Sequence, residues 1–172
     1  RAEIMQQDLT LVIISGDFTQ DGRTWEFIEA SQYIRSLGVP VFAVPGNHDM
    51  PRFSLLERFL HPYKRYKEHI GEVVDPVYES PDCLIVGINT ARPVVPHWNW
   101  AHGMVSEGQI RHAETLFANA EEGQARILVC HHPLMAAVDT PLDTIVWRGQ
   151  ELAKMLMRQK VELILTGHVH HA

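Results

Sequence analysis

The sequence predicts a mixed α/β domain in which parallel βαβ units carry an antiparallel pair between them. Three observations predict it. Short, nearly continuous apolar and β-branched runs alternate with segments of helical periodicity. Four of the runs end in polar loops whose side chains are competent to bind metal. Two further runs are separated only by a Pro81-Asp82 turn, a hairpin-length connection. At 172 residues and 45% hydrophobic content, the chain suits a single domain over 1–172 with a core of its own.

Taken in order, residues 1–7 (RAEIMQQ) read as the last turns of a helix, so the chain is expected to begin inside an element. Residues 9–15 (LTLVIIS) read as a strand buried on both faces, stopping at Gly16-Asp17. Beyond a polar loop, Phe27, Ala30, Ile34 and Leu37 recur at helical spacing, and Gly38 and Pro40 end the helix. Residues 39–44 form the next strand, which runs into Gly46-Asn47-His48-Asp49. Pro51 opens a helix with Leu56, Phe59 and Leu60 on one face, grading into the charged stretch 63–67. Residues 77–80 and 83–88 form the antiparallel pair, and 91–102, with Pro93, Pro96, Trp98 and Trp100, has no period and reads as a long loop. Ser106 and Gln109 match a capping box that opens a helix through Ile110, Ala113, Phe117 and Ala120. A strand (127–130), a loop (131–143), a helix around Leu152, Met155 and Leu156, and a last strand (161–166) lead to Gly167-His168-Val169-His170-His171.

A formal charge of −6 without a basic cluster argues against a nucleic-acid partner. No apolar run approaches a membrane span and no secretory segment opens the chain, so the reading is cytoplasmic, without membrane. Cys83 and Cys130 sit in apolar, strand-like stretches and read as reduced core residues, a single disulfide being the alternative. An anionic substrate of so acidic a chain has to be attracted locally, by bound cations.

Histidine is the outlier, with 11 copies, five of them from residue 131 onward. The strand-ending groups are Asp17, then Asn47-His48-Asp49, then His131-His132, then His168 with His170. Parallel strands present their carboxyl ends along one edge, so these loops are expected to converge. Asp17, Asn47, His131, His168 and His170 make an oxygen and nitrogen ligand set without thiolate, which suits Mn, Fe or Zn. Asp17 has two oxygens and could bridge two ions, and strand-like alternation puts His168 and His170 on one side. Gly16, Gly46 and Gly167 precede the clusters and permit tight turns. Two adjacent ions bind a phosphoryl group, activate water and stabilise a leaving oxygen. Singly, each piece has a plain structural reading: a turn aspartate, an Asx turn capping a helix, a loop histidine. Their order, each after a strand, favours a shared site.

Gly16-Asp17, Gly46-Asn47-His48-Asp49, His131 and Gly167-His168-Val169-His170, in that order, resemble the calcineurin-like metallophosphoesterases across residues 16–170. Residues 16–22 (GDFTQDG), His131-His132-Pro133 and His102-Gly103 are most similar to the bacterial class III cyclic-nucleotide phosphodiesterases. The resemblance implies a four-layer αββα sandwich of two mixed sheets and two metal ions, Mn²⁺, Fe²⁺/Fe³⁺ or Zn²⁺. It implies Asp17 as the bridge, Asn47, His131 and His168 completing one site, and His170 in the other. His48 would act as general acid or phosphoryl donor, with Asp49 orienting its ring; His102 and Arg92 are weaker candidates for substrate contact. The implied activity is hydrolysis of a small anionic phosphodiester, preferentially a 3',5'-cyclic nucleotide, by in-line attack of hydroxide held between the metals. A homodimer is admitted. The family's Asp-x-His motif is not found upstream of Asp17, so the first strand, like the C-terminal strands, is expected to be missing from this sequence. The rival readings are a non-catalytic or single-metal member serving as a binding module, and a phosphodiesterase or phosphatase with another substrate.

Overall fold

The structure, a computed structural model, describes residues 9–95, 102–135 and 146–168. Strands β1 (Val12–Ile14) and β2 (Val41–Ala43) pair in parallel, Val12 opposite Val41, and α1 (Thr24–Arg35) makes the crossover. This is the expected βαβ unit. Helices α2 (Leu55–Leu60) and α3 (Lys64–His69) follow, then β3 (Val77–Glu79), β4 (Cys83–Ile88), β5 (Gly103–Met104), α4 (Glu107–Ala118), β6 (Ala125–Cys130), β7 (Val146–Trp147), α5 (Gly149–Arg158) and β8 (Leu163–Leu165).

A second sheet has the order β3-β4-β6-β8, with β3 antiparallel to β4 and the other pairs parallel. Alternation along its central strands sorts two cores. Leu84, Val86, Ile88, Leu128 and Cys130 face Ile110, Ala113 and Phe117 of α4 and Leu152, Met155 and Leu156 of α5. Their neighbours Ile85 and Val129 face Phe42 and Val44, flanked by the partly buried Ile13 and Ile127. Helices α1 and α3 contact each other beside the first sheet, where the Tyr66 hydroxyl donates to the Ala43 carbonyl. The layers therefore run helix, sheet, sheet, helix, as the resemblance implied. The capping box of α4 forms as read, the Ser106 hydroxyl accepting from Gln109 N and the Gln109 side chain accepting from Ser106 N.

Several expectations are corrected. Pro51 does not open a helix: Ser54 is the N-cap of α2, its hydroxyl accepting from Glu57 N, and the chain breaks at Pro62 before α3 starts. The apolar face of α2 is real but points outward. Arg58 turns inward instead, its guanidinium donating to the Pro93 and Pro51 carbonyls. β1 is half-buried rather than covered on both faces. β5 and β7 pair in parallel just beyond the two loops read from the sequence, at positions it assigns to no element, because two residues are too few to show a period. Cys83 and Cys130 are both free, as read, and only the alternative of a disulfide falls. They stand opposite Ala125 and Ile88, at the two ends of the β4-β6 ladder; that separation is about 16 Å at ~3.3 Å per residue, beyond disulfide reach.

Candidate metal centre

Four loops meet at the carboxyl ends of β1, β2, β6 and β8, and glycine is what lets them approach. A Cβ on Gly46 would lie 2.1 Å from Asp17 Oδ1, and one on Gly16 would lie 2.6 Å from Gly46 N and 2.8 Å from His131 Nδ1. Gly46 is thus required by crowding rather than by turn geometry, its φ of −101° being open to any residue. Asp17 and His168 are both left-handed, with φ of 59° and 71°. Such backbone costs energy in a residue with a side chain and is held only where its surroundings dictate it.

The side chains converge on one point. His131 Nε2 lies 3.0 Å from Asn47 Oδ1, 3.2 Å from His168 Nδ1 and 3.3 Å from Asp17 Oδ2, and His168 Nδ1 lies 3.0 Å from Asn47 Oδ1. His131 Nδ1 donates to the Ser15 carbonyl at 2.7 Å, so in the neutral ring the inward nitrogen carries a lone pair. A carboxylate oxygen, an amide oxygen and two imidazole nitrogens therefore face one another. Such a set holds together around a proton on an imidazole or around a cation. Ligands about 2.0–2.2 Å from a common zinc-sized ion stand roughly 3.0–3.5 Å apart, the spacing observed. The residues fit a divalent metal. Burial pushes the Asp17 carboxyl up, but the hydrogen bond and charge of His131 and the His48 N–H outweigh it, and the group ends below the ordinary range.

His48 and Asp49 lie on a single 3₁₀ turn, Asn47–Asp49. His48 N donates to Asp17 Oδ1 at 3.1 Å, and His48 Nδ1 pairs with the Gln20 carbonyl at 2.7 Å. Asp49, expected to orient that ring, has other partners. Its buried carboxylate accepts from Gly46 N at 2.8 Å, Asp17 N at 3.0 Å and Thr19 N at 3.0 Å. It ties the β1 and β2 loops together, and the Gln20 carbonyl does the orienting. Burial is the largest influence on the Asp49 carboxyl, which is pushed up to about 6, the N–H donors of Gly46 and Thr19 pulling against it.

His132 is fully buried beside the converging side chains. Its ring centroid lies 4.8 Å from that of His131 and 4.6 Å from that of His168, and Nδ1 pairs with the Thr90 hydroxyl at 2.7 Å. His131, His132 and His168 form a group of nitrogens within 4.8 Å of one another. The Thr90 contact gives His132 a partner other than metal, whereas Asn47 and Asp17 crowd onto His131. By mutual proximity the candidate ligand set is Asp17, Asn47, His131 and His168. Sequence reasoning missed Thr90, Gln20 and the Ser15 carbonyl; Thr90 was findable, since it too follows a strand end. His102 is buried beside Gly103, whose backbone abuts the His132 ring. Arg92 donates to the Met104 carbonyl and to Gln109, bracing the start of α4. His170, like His97, Trp98 and Trp100, lies outside the described residues. Cys130 takes no part in the chemistry, its thiol being pushed up to about 12 by burial.

Fold and centre together define a metallophosphoesterase-type scaffold. Residues 3–172 match the calcineurin-like phosphoesterase family model, and the chain belongs to that family. It is 27% identical to a Synechococcus protein named "probable cyclic nucleotide phosphodiesterase" over 98% of this chain and 61% of that protein. It is also 27% identical to the 3',5'-cyclic adenosine monophosphate phosphodiesterase CpdA of Escherichia coli K12, over 96% of this chain and 56% of that protein. The chain thus spans little more than half the length of these curated relatives. Among solved structures, a dimetal phosphatase from Danio rerio shares the fold at a TM-score of 0.68, with 15% identity, covering 98% of this chain and 69% of that one.

Proposed function

We propose that the chain carries a binuclear, metal-dependent phosphodiesterase centre whose preferred substrate is a 3',5'-cyclic nucleotide. The observation that carries the reading is the convergence of four atoms of types that ligate metals, on Asp17, Asn47, His131 and His168, beside the His48 ring. A bound divalent ion supplies Lewis-acid stabilisation of phosphoryl charge and lowers the pKa of water. Asp17 presents Oδ2 to the centre and Oδ1 to His48 N, coupling ligand and acid in one turn. With Nδ1 on the Gln20 carbonyl, His48 has Nε2 to carry a proton. The step is hydrolytic: water oxygen bonds to phosphorus in line and gives up one proton to solvent, the opposite P–O bond breaks, and His48 Nε2 hands its proton to the departing alkoxide and regains one from solvent. The names of the two curated relatives favour the cyclic nucleotide. The second ion rests on the bridging capacity of Asp17 and on His170.

The test is metal content per chain together with hydrolysis of bis-p-nitrophenyl phosphate and cyclic AMP in added Mn²⁺. Two ions and turnover that falls about 10²-fold or more in His48→Ala, with metal retained, is the expected outcome. One ion or none, without turnover, leaves a single-metal or non-catalytic binding module as the function of this chain.

A further inference from the structure

Helix α2 sits one turn beyond the His48 loop and has the wrong side out. Phe53, Leu55, Leu56, Phe59 and Leu60 are all exposed, Leu56 and Phe53 by 71% and 69%. Isolated exposed leucines need no explanation, but five large apolar side chains within eight positions do. The charge around them is equally uneven. Over residues 51–70, with Arg58 buried, Arg52, Lys64, Arg65 and Lys67 stand against Glu57 and Glu68, a surplus of two positive charges in a chain of net charge −6. At the foot of the apolar face the Phe53 ring lies near the Arg23 guanidinium at 4.7 Å and the Arg52 guanidinium at 5.9 Å. Those two half-exposed cations share one carboxylate, Asp21. A shallow pocket there is lined by Arg23, Arg52, Arg65 and Phe53 together with the carboxylates of Asp21 and Glu57, three cations against two anions.

We propose that α2 and the Arg23-Arg52 pair form a docking face for an anionic lipid surface, the apolar side chains entering the headgroup boundary and the guanidiniums meeting lipid phosphates. Charge selects this occupant. A second copy of the chain, meeting across a two-fold axis, would set the same basic stretch against itself. A helix of six residues, about 9 Å long, also offers little of the roughly 800 Å² per partner that a stable protein interface buries. An anionic bilayer answers both the apolar face and the surplus charge, and needs both signals because neither is strong alone. Docking of this kind is peripheral. It is consistent with there being no helix, among the described residues, long and apolar enough to cross a membrane.

The test is co-sedimentation of the 172-residue chain with phosphatidylcholine vesicles, with and without roughly 30% phosphatidylglycerol. The expected result is binding to the anionic vesicles about ten-fold stronger than to neutral ones, and lost in about 0.5 M salt. Leu56→Ser with Phe59→Ser should weaken binding to both vesicle types, with the circular-dichroism melt unchanged because both side chains are exposed. Arg52→Ala should weaken only the preference for the anionic vesicles. Absence of binding to the anionic vesicles, equal binding to both types, or binding untouched by the serine pair overturns the proposal. So does a concentration-dependent dimer that the serine pair abolishes, which would assign the face to a second copy.

Discussion

At the centre, one side chain's role depends on which hydrogen bond it makes, and that distinguishes residues the sequence lists side by side. Asn47 faces both imidazoles, so Asn47→Ala should lower metal content per chain and raise the Mn²⁺ concentration needed for turnover, read by elemental analysis and by titration of activity. Asp49 faces only N–H donors and one hydroxyl of its neighbours, so its substitution should act through stability. Asp49→Asn turns an amide NH₂ toward backbone donors and should destabilise the fold by about 2–4 kcal/mol, seen as a lower denaturation midpoint. The motif Asn47-His48-Asp49 was legible as functional because three polar groups close an apolar run. Its division of labour was not, since the donors to Asp49 include Asp17 and Thr19, which lie 32 and 30 residues away.

Elements behave as their local chemistry dictates when the deciding partners are close in sequence. The α4 cap is closed between Ser106 and Gln109, and Ser106→Ala should cost about 1 kcal/mol in chemical denaturation without changing metal content. Glycines at the loop crossing belong to the opposite case. Gly46→Ala would drive a methyl into the Asp17 carboxylate, and metal binding should fail even where the chain folds, a result checked by comparing circular dichroism with metal content. Helix α2 shows where periodicity misleads. Leu56, Phe59 and Leu60 share a face as read, but a shared face is not yet a buried one. What turns Arg58 inward is the pair of carbonyls at Pro51 and Pro93, the second of them 35 residues downstream.

For the whole molecule, the side chains of the candidate centre join the two layers. Asp17 and Asn47 belong to the first sheet, whereas His131 and His168 follow β6 and β8 of the second. An ion held by all four should resist separation of the sheets, and Mn²⁺ at 100 times its dissociation constant should stabilise the intact chain by about 2.7 kcal/mol. A rise in thermal midpoint with added Mn²⁺ that is absent in Asn47→Ala would check both the site and its position between layers. The longer strands and helices, the βαβ unit, the hairpin and the kinds of donor at strand ends were readable from adjacent residues, because period, capping and turn chemistry operate within a few positions. Pairing of β5 with β7, the outward face of α2, the burial of His132 and the partners of Asp49 came only with the folded chain. They depend on groups that lie tens of residues apart in sequence, up to 121 between Asn47 and His168, and a through-space lone pair leaves no period in a sequence.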